Sequence, residues 1–123
     1  MIEVLDELKM RGYQLAIISN KPDIDTKKIV NHFFKDRFIY IAGAKPDVKR
    51  KPDKEAMTIL CDTLNLKIDD IIYIGDSRYD AQFAINSNCP YFLFEYGYEK
   101  KDILHSFTPI AFLEEAKDLL KYL

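Results

Sequence analysis

Residues 71–80 read Ile71-Ile72-Tyr73-Ile74-Gly75-Asp76-Ser77-Arg78-Tyr79-Asp80. The first four form an uncharged run of β-branched and aromatic residues, which predicts a strand. A glycine and two acids four positions apart follow, and then Ala81, Phe83, Ala84 and Ile85 fall at helical spacing. A strand that turns on a glycine into a helix is a βα unit. In a parallel sheet its polar turn stands beyond the carboxyl end of the strand, where such sheets bind ligands. Asp76 and Asp80 then face one rim and suit a hard cation such as Mg2+, shared with waters and phosphate oxygens. Gly75 lets the backbone come close to the ion or phosphate. The competing, purely structural reading is a glycine turn followed by acids that favour a helix N-terminus.

The same alternation extends outward in both directions. Ile2, Leu5 and Leu8 predict an opening helix over residues 1–11, closed by Gly12. Gln14 to Ile18 is a nearly continuous apolar run, expected of a strand covered on both faces, and it gives way to Ser19-Asn20-Lys21-Pro22. A helix is expected from Ile24 to Phe34, a strand over Phe38 to Ile41, a loop over residues 43–53 and a helix from Lys54 to Leu66. Beyond the central unit come a left-handed cap at Asn88, a strand over Tyr91 to Phe94, a loop, a short strand around Thr108 to Ile110 and a closing helix from Phe112 to Leu123. Short strands alternating with helices predict a single doubly wound α/β domain over residues 1–123, with a mainly parallel sheet between two helical layers in a Rossmann-like arrangement.

The rim rule selects further residues. Ser19 and Asn20 follow the first strand and would present a hydroxyl, an amide and loop N–H groups to a ligand, a set that suits phosphate. A Ser-Asn turn capping the next helix is the plainer alternative. Lys51, in Arg50-Lys51-Pro52-Asp53, stands at the start of a helix, where a cation gains nothing from the helix dipole. It either neutralises a phosphoryl group and nearby carboxylates or is a solvated loop lysine.

Composition limits the partners. With 31% charged residues of both signs interspersed and a formal charge of −2, no single-sign field favours nucleic acid or an anionic membrane. A small ligand is the expected partner. The longest apolar runs are far short of a membrane span and the first residues do not read as a signal peptide, so a cytoplasmic location is expected. Cys61 and Cys89 lack metal or disulfide spacing and read as reduced thiols, and the isolated His32 and His105 read as structural or surface residues.

The order of these signatures resembles the haloacid dehalogenase (HAD) superfamily. A strand then Ser19, Lys51-Pro52 opening a helix, and a strand then Gly75-Asp76-Ser77 with Asp80 match that family's second, third and fourth motifs. Ser19-Asn20-Lys21-Pro22, Gly75-Asp76-Ser77-Arg78 and Tyr96-Gly97-Tyr98 look like its phosphoglycolate phosphatase branch. The resemblance implies a HAD-like core and magnesium-dependent phosphomonoester hydrolysis. It also implies that Ser19 and Asn20 bind the phosphoryl group, that Lys51 offsets its charge, and that Asp76 ligates Mg2+. Asp80 would be a second ligand or would orient Lys51 and the metal waters.

The family's first motif, Asp-x-Asp-x-Thr at the end of a central strand, supplies the nucleophile and the general acid and base. These 123 residues hold no such strand. Asp23-Ile24-Asp25-Thr26 spells a similar string, but it follows Pro22 and suits the first turn of a helix. The expectation is therefore a HAD-like core whose first, central strand and cap are missing, from a longer enzyme or a truncated product with little activity of its own. Loss of that strand would leave open sheet edges, which favour self-association. A non-catalytic phosphate- and metal-binding or assembly module is the alternative. A phosphoacceptor receiver domain fits less well, because there the acids precede the hydroxyl residue and the lysine.

Overall fold

The computed structural model describes residues 1–123, which divide into two compact units, Met1–Lys49 with Ala116–Leu123, and Arg50–Glu115. In the first unit, helix α1 (Ile2–Met10) is followed by strand β1 (Ala16–Pro22), helix α2 (Asp23–Phe34) and strand β2 (Tyr40–Ala44). β1 and β2 pair in parallel, with Ala16, Ile17 and Ile18 opposite Tyr40, Ile41 and Ala42. The register then slips, and Pro22 next meets Ala44. Asp23, the first residue of α2, fixes this corner: its Oδ1 accepts the Gly43 N–H at 2.9 Å, and Lys27 Nζ lies 2.8 Å from Oδ2. Val4, Leu8, Val30 and Leu119 are buried. Arg11 Nη1 ties the end of α1 to the Leu120 carbonyl at 3.0 Å.

The second unit holds helix α3 (Glu55–Leu64), strand β3 (Tyr73–Gly75), helix α4 (Arg78–Asn86), strand β4 (Tyr91–Phe94), the one-turn helix α5 (Lys101–Leu104) and strand β5 (Phe112–Leu113). Its sheet has the order β3-β4-β5, all parallel, with Tyr73, Ile74 and Gly75 opposite Tyr91, Phe92 and Leu93. All four residues of β4 are buried, as suits a central strand, and Phe83, Ala81 and Ala84 of α4 are fully buried. Asn88 takes the left-handed conformation, φ 56°, that its place after α4 predicts. No helix is long and apolar enough to cross a membrane.

Several expected boundaries move. β1 is not covered on both faces: all its residues are exposed or half-buried, and it is one of only two strands in its sheet. The last strand is Phe112–Leu113, not Thr108–Ile110. Pro109 has no N–H to donate, so the ladder onto β4 starts at Ile110, whose N–H reaches the Tyr91 carbonyl at 2.8 Å. Phe112 and Leu113 thus belong to the sheet, and the expected helix from Phe112 shrinks to a 3₁₀ segment, Ala116–Lys121.

Both cysteines are free thiols. Burial pushes the Cys89 thiol up to about 11, and its Sγ lies 3.4 Å from the carbonyls of Ile71 and Pro90. Cys61, also raised by burial and then by Asp62 and Asp70, is only half-buried. An aromatic disulfide reagent at pH 8 is expected to modify one thiol quickly, with that phase absent in Cys61→Ser, and the second only on unfolding. Equal rates for the two thiols would contradict this packing of Cys89.

Candidate active site

The sheet and α4 bring together three of the residues selected from sequence. Lys51 lies ahead of α3, and its loop is held against the end of α4 by Asn86 Nδ2, which donates to the Pro52 carbonyl at 2.8 Å. From there Lys51 Nζ reaches Asp80 Oδ1 at 2.8 Å and Tyr73 Oη at 2.9 Å. The Lys51 and Asp80 side chains are only 11% and 12% exposed, so this is a buried ion pair. Nζ also lies 5.6 Å from the Tyr73 ring centroid and 5.9 Å from that of Phe83, within the range of cation–π attraction.

Asp80 occupies the first turn of α4, and its two oxygens serve different sides. Oδ1 accepts Lys51 Nζ and the Tyr73 hydroxyl, the latter at 2.9 Å. Oδ2 accepts the Asp76 N–H and the Ser77 hydroxyl, both at 3.1 Å. Ser77 is the N-cap of α4, and its Oγ in turn accepts the Asp80 N–H at 3.2 Å. With two donors on each oxygen, the acceptor capacity of this carboxylate is filled. Gly75 makes the arrangement fit, since a Cβ there would stand 2.2 Å from Asp80 Cβ.

The electrostatics divide the two acids. Burial pushes the Asp80 carboxyl up, but the Lys51 ammonium and the hydrogen bonds from Lys51, the Asp76 N–H and Tyr73 outweigh it and hold Asp80 below the usual carboxylate range. Asp76 is raised instead, by burial and then by the charge of Asp80, with Lys51 only partly offsetting them. Tyr73 is driven far up by burial and then by Asp80, so it keeps its proton and donates it. Asp76 is thus a half-buried carboxylate beside a second one, the environment that a cation would relieve. No group of three or more His, Cys, Asp or Glu side chains is assembled anywhere in the chain.

Ser19 and Asn20 lie in the first unit, on the irregular stretch of β1 where the register slips. Ser19 Oγ accepts the Lys21 N–H at 3.1 Å, a local turn that sets the hydroxyl direction. Asp23 to Thr26 fall in the first turn of α2, as their sequence context predicts. Thr26 Oγ1 donates to the carbonyls of Lys21 and Pro22 at 3.2 and 3.0 Å. Sequence reasoning missed Tyr73 as a member of the site. The signal was its place two residues before Gly75, since strand residues two apart share a face and Gly75 faces Asp80.

The parallel α/β unit thus sets a buried lysine-carboxylate pair behind a Gly-Asp-Ser turn. The family model described as haloacid dehalogenase-like hydrolase matches residues 1–94, and the chain belongs to that family. It is 27% identical over 120 residues to the phosphoglycolate phosphatase of Vibrio parahaemolyticus, covering 97% of this chain and 53% of that protein. With the phosphoglycolate phosphatase of Mannheimia succiniciproducens it shares 30% over 120 residues, covering 97% and 54%. The crystal structure of a predicted phosphoglycolate phosphatase from Haemophilus somnus superposes with a TM-score of 0.89 at 29% identity, covering 98% of this chain and 54% of that one. The chain therefore spans about half the length of the relatives it matches.

Proposed function

We propose that these residues form the phosphate- and magnesium-binding part of a HAD-family phosphatase of the phosphoglycolate phosphatase type, acting on a small phosphorylated metabolite. The observation that carries this reading is the split between the acids: Asp80 is saturated by Lys51, Tyr73, Ser77 and the Asp76 N–H, whereas Asp76 is raised by burial and by Asp80. Asp76 would therefore hold Mg2+ directly and Asp80 would position Lys51. The donor set fits the ion, because Mg2+ commonly takes one or two carboxylates and completes its shell with waters and phosphate oxygens. When bound it would polarise a phosphoryl oxygen and neutralise developing charge.

Lys51 would add a positive charge for the phosphoryl group from a buried position, where water screens it least. Tyr73 and the Phe83 ring hold that ammonium in place without competing for a proton. Ser19 and Asn20 would bind phosphate oxygens, a role supported by the order of the motifs along the chain. None of these side chains is an aspartate poised to attack phosphorus. We therefore propose that the 123-residue chain taken alone binds Mg2+ and a phosphate-like anion with little turnover. Loss of a covalent nucleophile alone costs about 10^6 in rate in sites whose members act as a unit.

The expected result is saturable calorimetric binding of Mg2+ with orthovanadate, lost in Asp76→Asn, together with aryl phosphate hydrolysis no faster than in that variant. Magnesium-dependent turnover abolished by Asp76→Asn would overturn the inactivity. Absence of any binding would overturn the assignment of the site.

A further inference from the structure

The segment after β4 runs past Asp76 with no side chain between them. A Cβ on Gly97 would stand 2.7 Å from Asp76 Oδ2 and 2.9 Å from both its Cβ and Cγ, closer than real Cβ contacts occur. The backbone does not call for glycine at this position, because the only glycine with positive φ is Gly12. Gly97 is required by the room that Asp76 takes up.

This segment is tied at both ends. The Glu95 N–H donates to the Leu113 carbonyl at 2.9 Å, and the Tyr96 ring lies 4.8 Å from that of Phe94. At the far end Glu99 Oε2 accepts the Arg78 N–H at 3.2 Å and lies 3.5 Å from Arg78 Nε, with the Glu99 side chain only 11% exposed. The latch therefore holds the Gly97 backbone against the Gly-Asp-Ser turn from which α4 starts. Asp76 is confined from two sides: its own N–H is fixed by Asp80 Oδ2, and its carboxylate abuts Gly97.

We propose that Gly97 is a positioning residue for the Asp76 carboxylate, with Glu99 latching the Gly97 segment to the start of α4. The bare backbone at position 97 leaves the carboxylate the room it occupies beside this segment. This inference rests on the reading of Asp76 as the magnesium ligand. Any added side chain atom must turn the carboxylate, and partners that orient a metal ligand typically carry about 10–100-fold in metal affinity.

The test compares Gly97→Ala with Tyr98→Ala, a control on the same segment whose side chain is fully exposed. Three-bond couplings report the Asp76 χ1 angle in the metal-free chain, and calorimetric titration with MgCl2 reports affinity. Expected is a changed χ1 population and roughly 10–100-fold weaker Mg2+ binding in Gly97→Ala, with neither change in Tyr98→Ala. Glu99→Ala inserts nothing beside Asp76 but releases the latch, so it should loosen χ1 in the same direction, and it carries the test if Gly97→Ala fails to fold. An unchanged χ1 in Gly97→Ala, or in Glu99→Ala where that variant stands in, would overturn the proposal. If the native chain binds no Mg2+, the reading of Asp76 as a ligand falls, while the χ1 comparison still decides whether Gly97 positions it.

Discussion

Asp80→Ala is expected to destabilise the unit spanning Arg50–Glu115 by about 3–5 kcal/mol, the range found when one partner of a buried ion pair is removed. The carboxylate accepts four hydrogen bonds, from Lys51, Tyr73, Ser77 and the Asp76 N–H, and the variant deprives all four donors at once. Lys51 is the costliest of these, since its ammonium is buried beside the Tyr73 and Phe83 rings, where solvent cannot replace the lost charge. Asp80→Asn keeps the shape and two lone pairs but no charge, so its loss should fall between native and Asp80→Ala. Urea unfolding read by circular dichroism checks both. A loss below about 1 kcal/mol in Asp80→Ala would equate the pair with an exposed surface bridge and contradict its burial.

Phe83→Ala should cost a similar amount, about 3–5 kcal/mol, through a different cause. Phe83 is fully buried on α4, and its ring meets that of Tyr73 edge-on with centroids 5.1 Å apart. Deleting it leaves a cavity and removes the face under Lys51 Nζ. Phe83→Leu, which refills most of the volume, should lose less. The same urea transition measures the cost. If Phe83→Leu were as damaging as Phe83→Ala, the aromatic contacts to Tyr73 and Lys51 would outweigh the cavity.

These two positions show what the sequence makes legible. Residues 71–80 disclose the βα unit because a β-prone run, a glycine and a helical rhythm follow one another within ten residues. Asp76, Asp80 and Lys51 stand out because two acids four positions apart follow a strand that ends on a glycine, and a lysine stands at a helix start where the dipole gives it nothing. Their division of labour is not legible, since it depends on Tyr73 and Lys51 reaching one oxygen of Asp80 across 7 and 29 residues of chain. Phe83 reads from sequence only as a core residue. Its place under Lys51 is a fact of packing.

Boundaries fail for local reasons. β2 is expected over Phe38 to Ile41 and found at Tyr40–Ala44, because Ala16 to Ile18 pair with Tyr40 to Ala42 and, past the register slip, Pro22 meets Ala44, which extends the strand over Gly43 and Ala44, poor strand formers. α5 spans four residues, too few to show a 3.6-residue period, and so reads as loop. The closing helix misleads because Phe112 and Leu113 fit either a helical face or a buried strand, a choice made by the edge of β4. Gly97 reads from sequence as part of a loop and of the Tyr96-Gly97-Tyr98 signature, whereas the closeness of Asp76, which a Cβ there would meet, is a fact of packing.

The buried strand β4 has a consequence for the unfolded chain. Tyr91-Phe92-Leu93-Phe94 is uncharged, aromatic and β-prone, the composition of a cross-β aggregation segment. In the native fold β3 and β5 cover its two edges, although β5 contributes only two residues. Pro90 before it and Glu95 after it are gatekeepers, a residue that cannot extend a ladder and a charge that disfavours stacking. Weakening the Arg50–Glu115 unit, as Asp80→Ala is expected to do, should therefore bring this sticky stretch within reach of other copies.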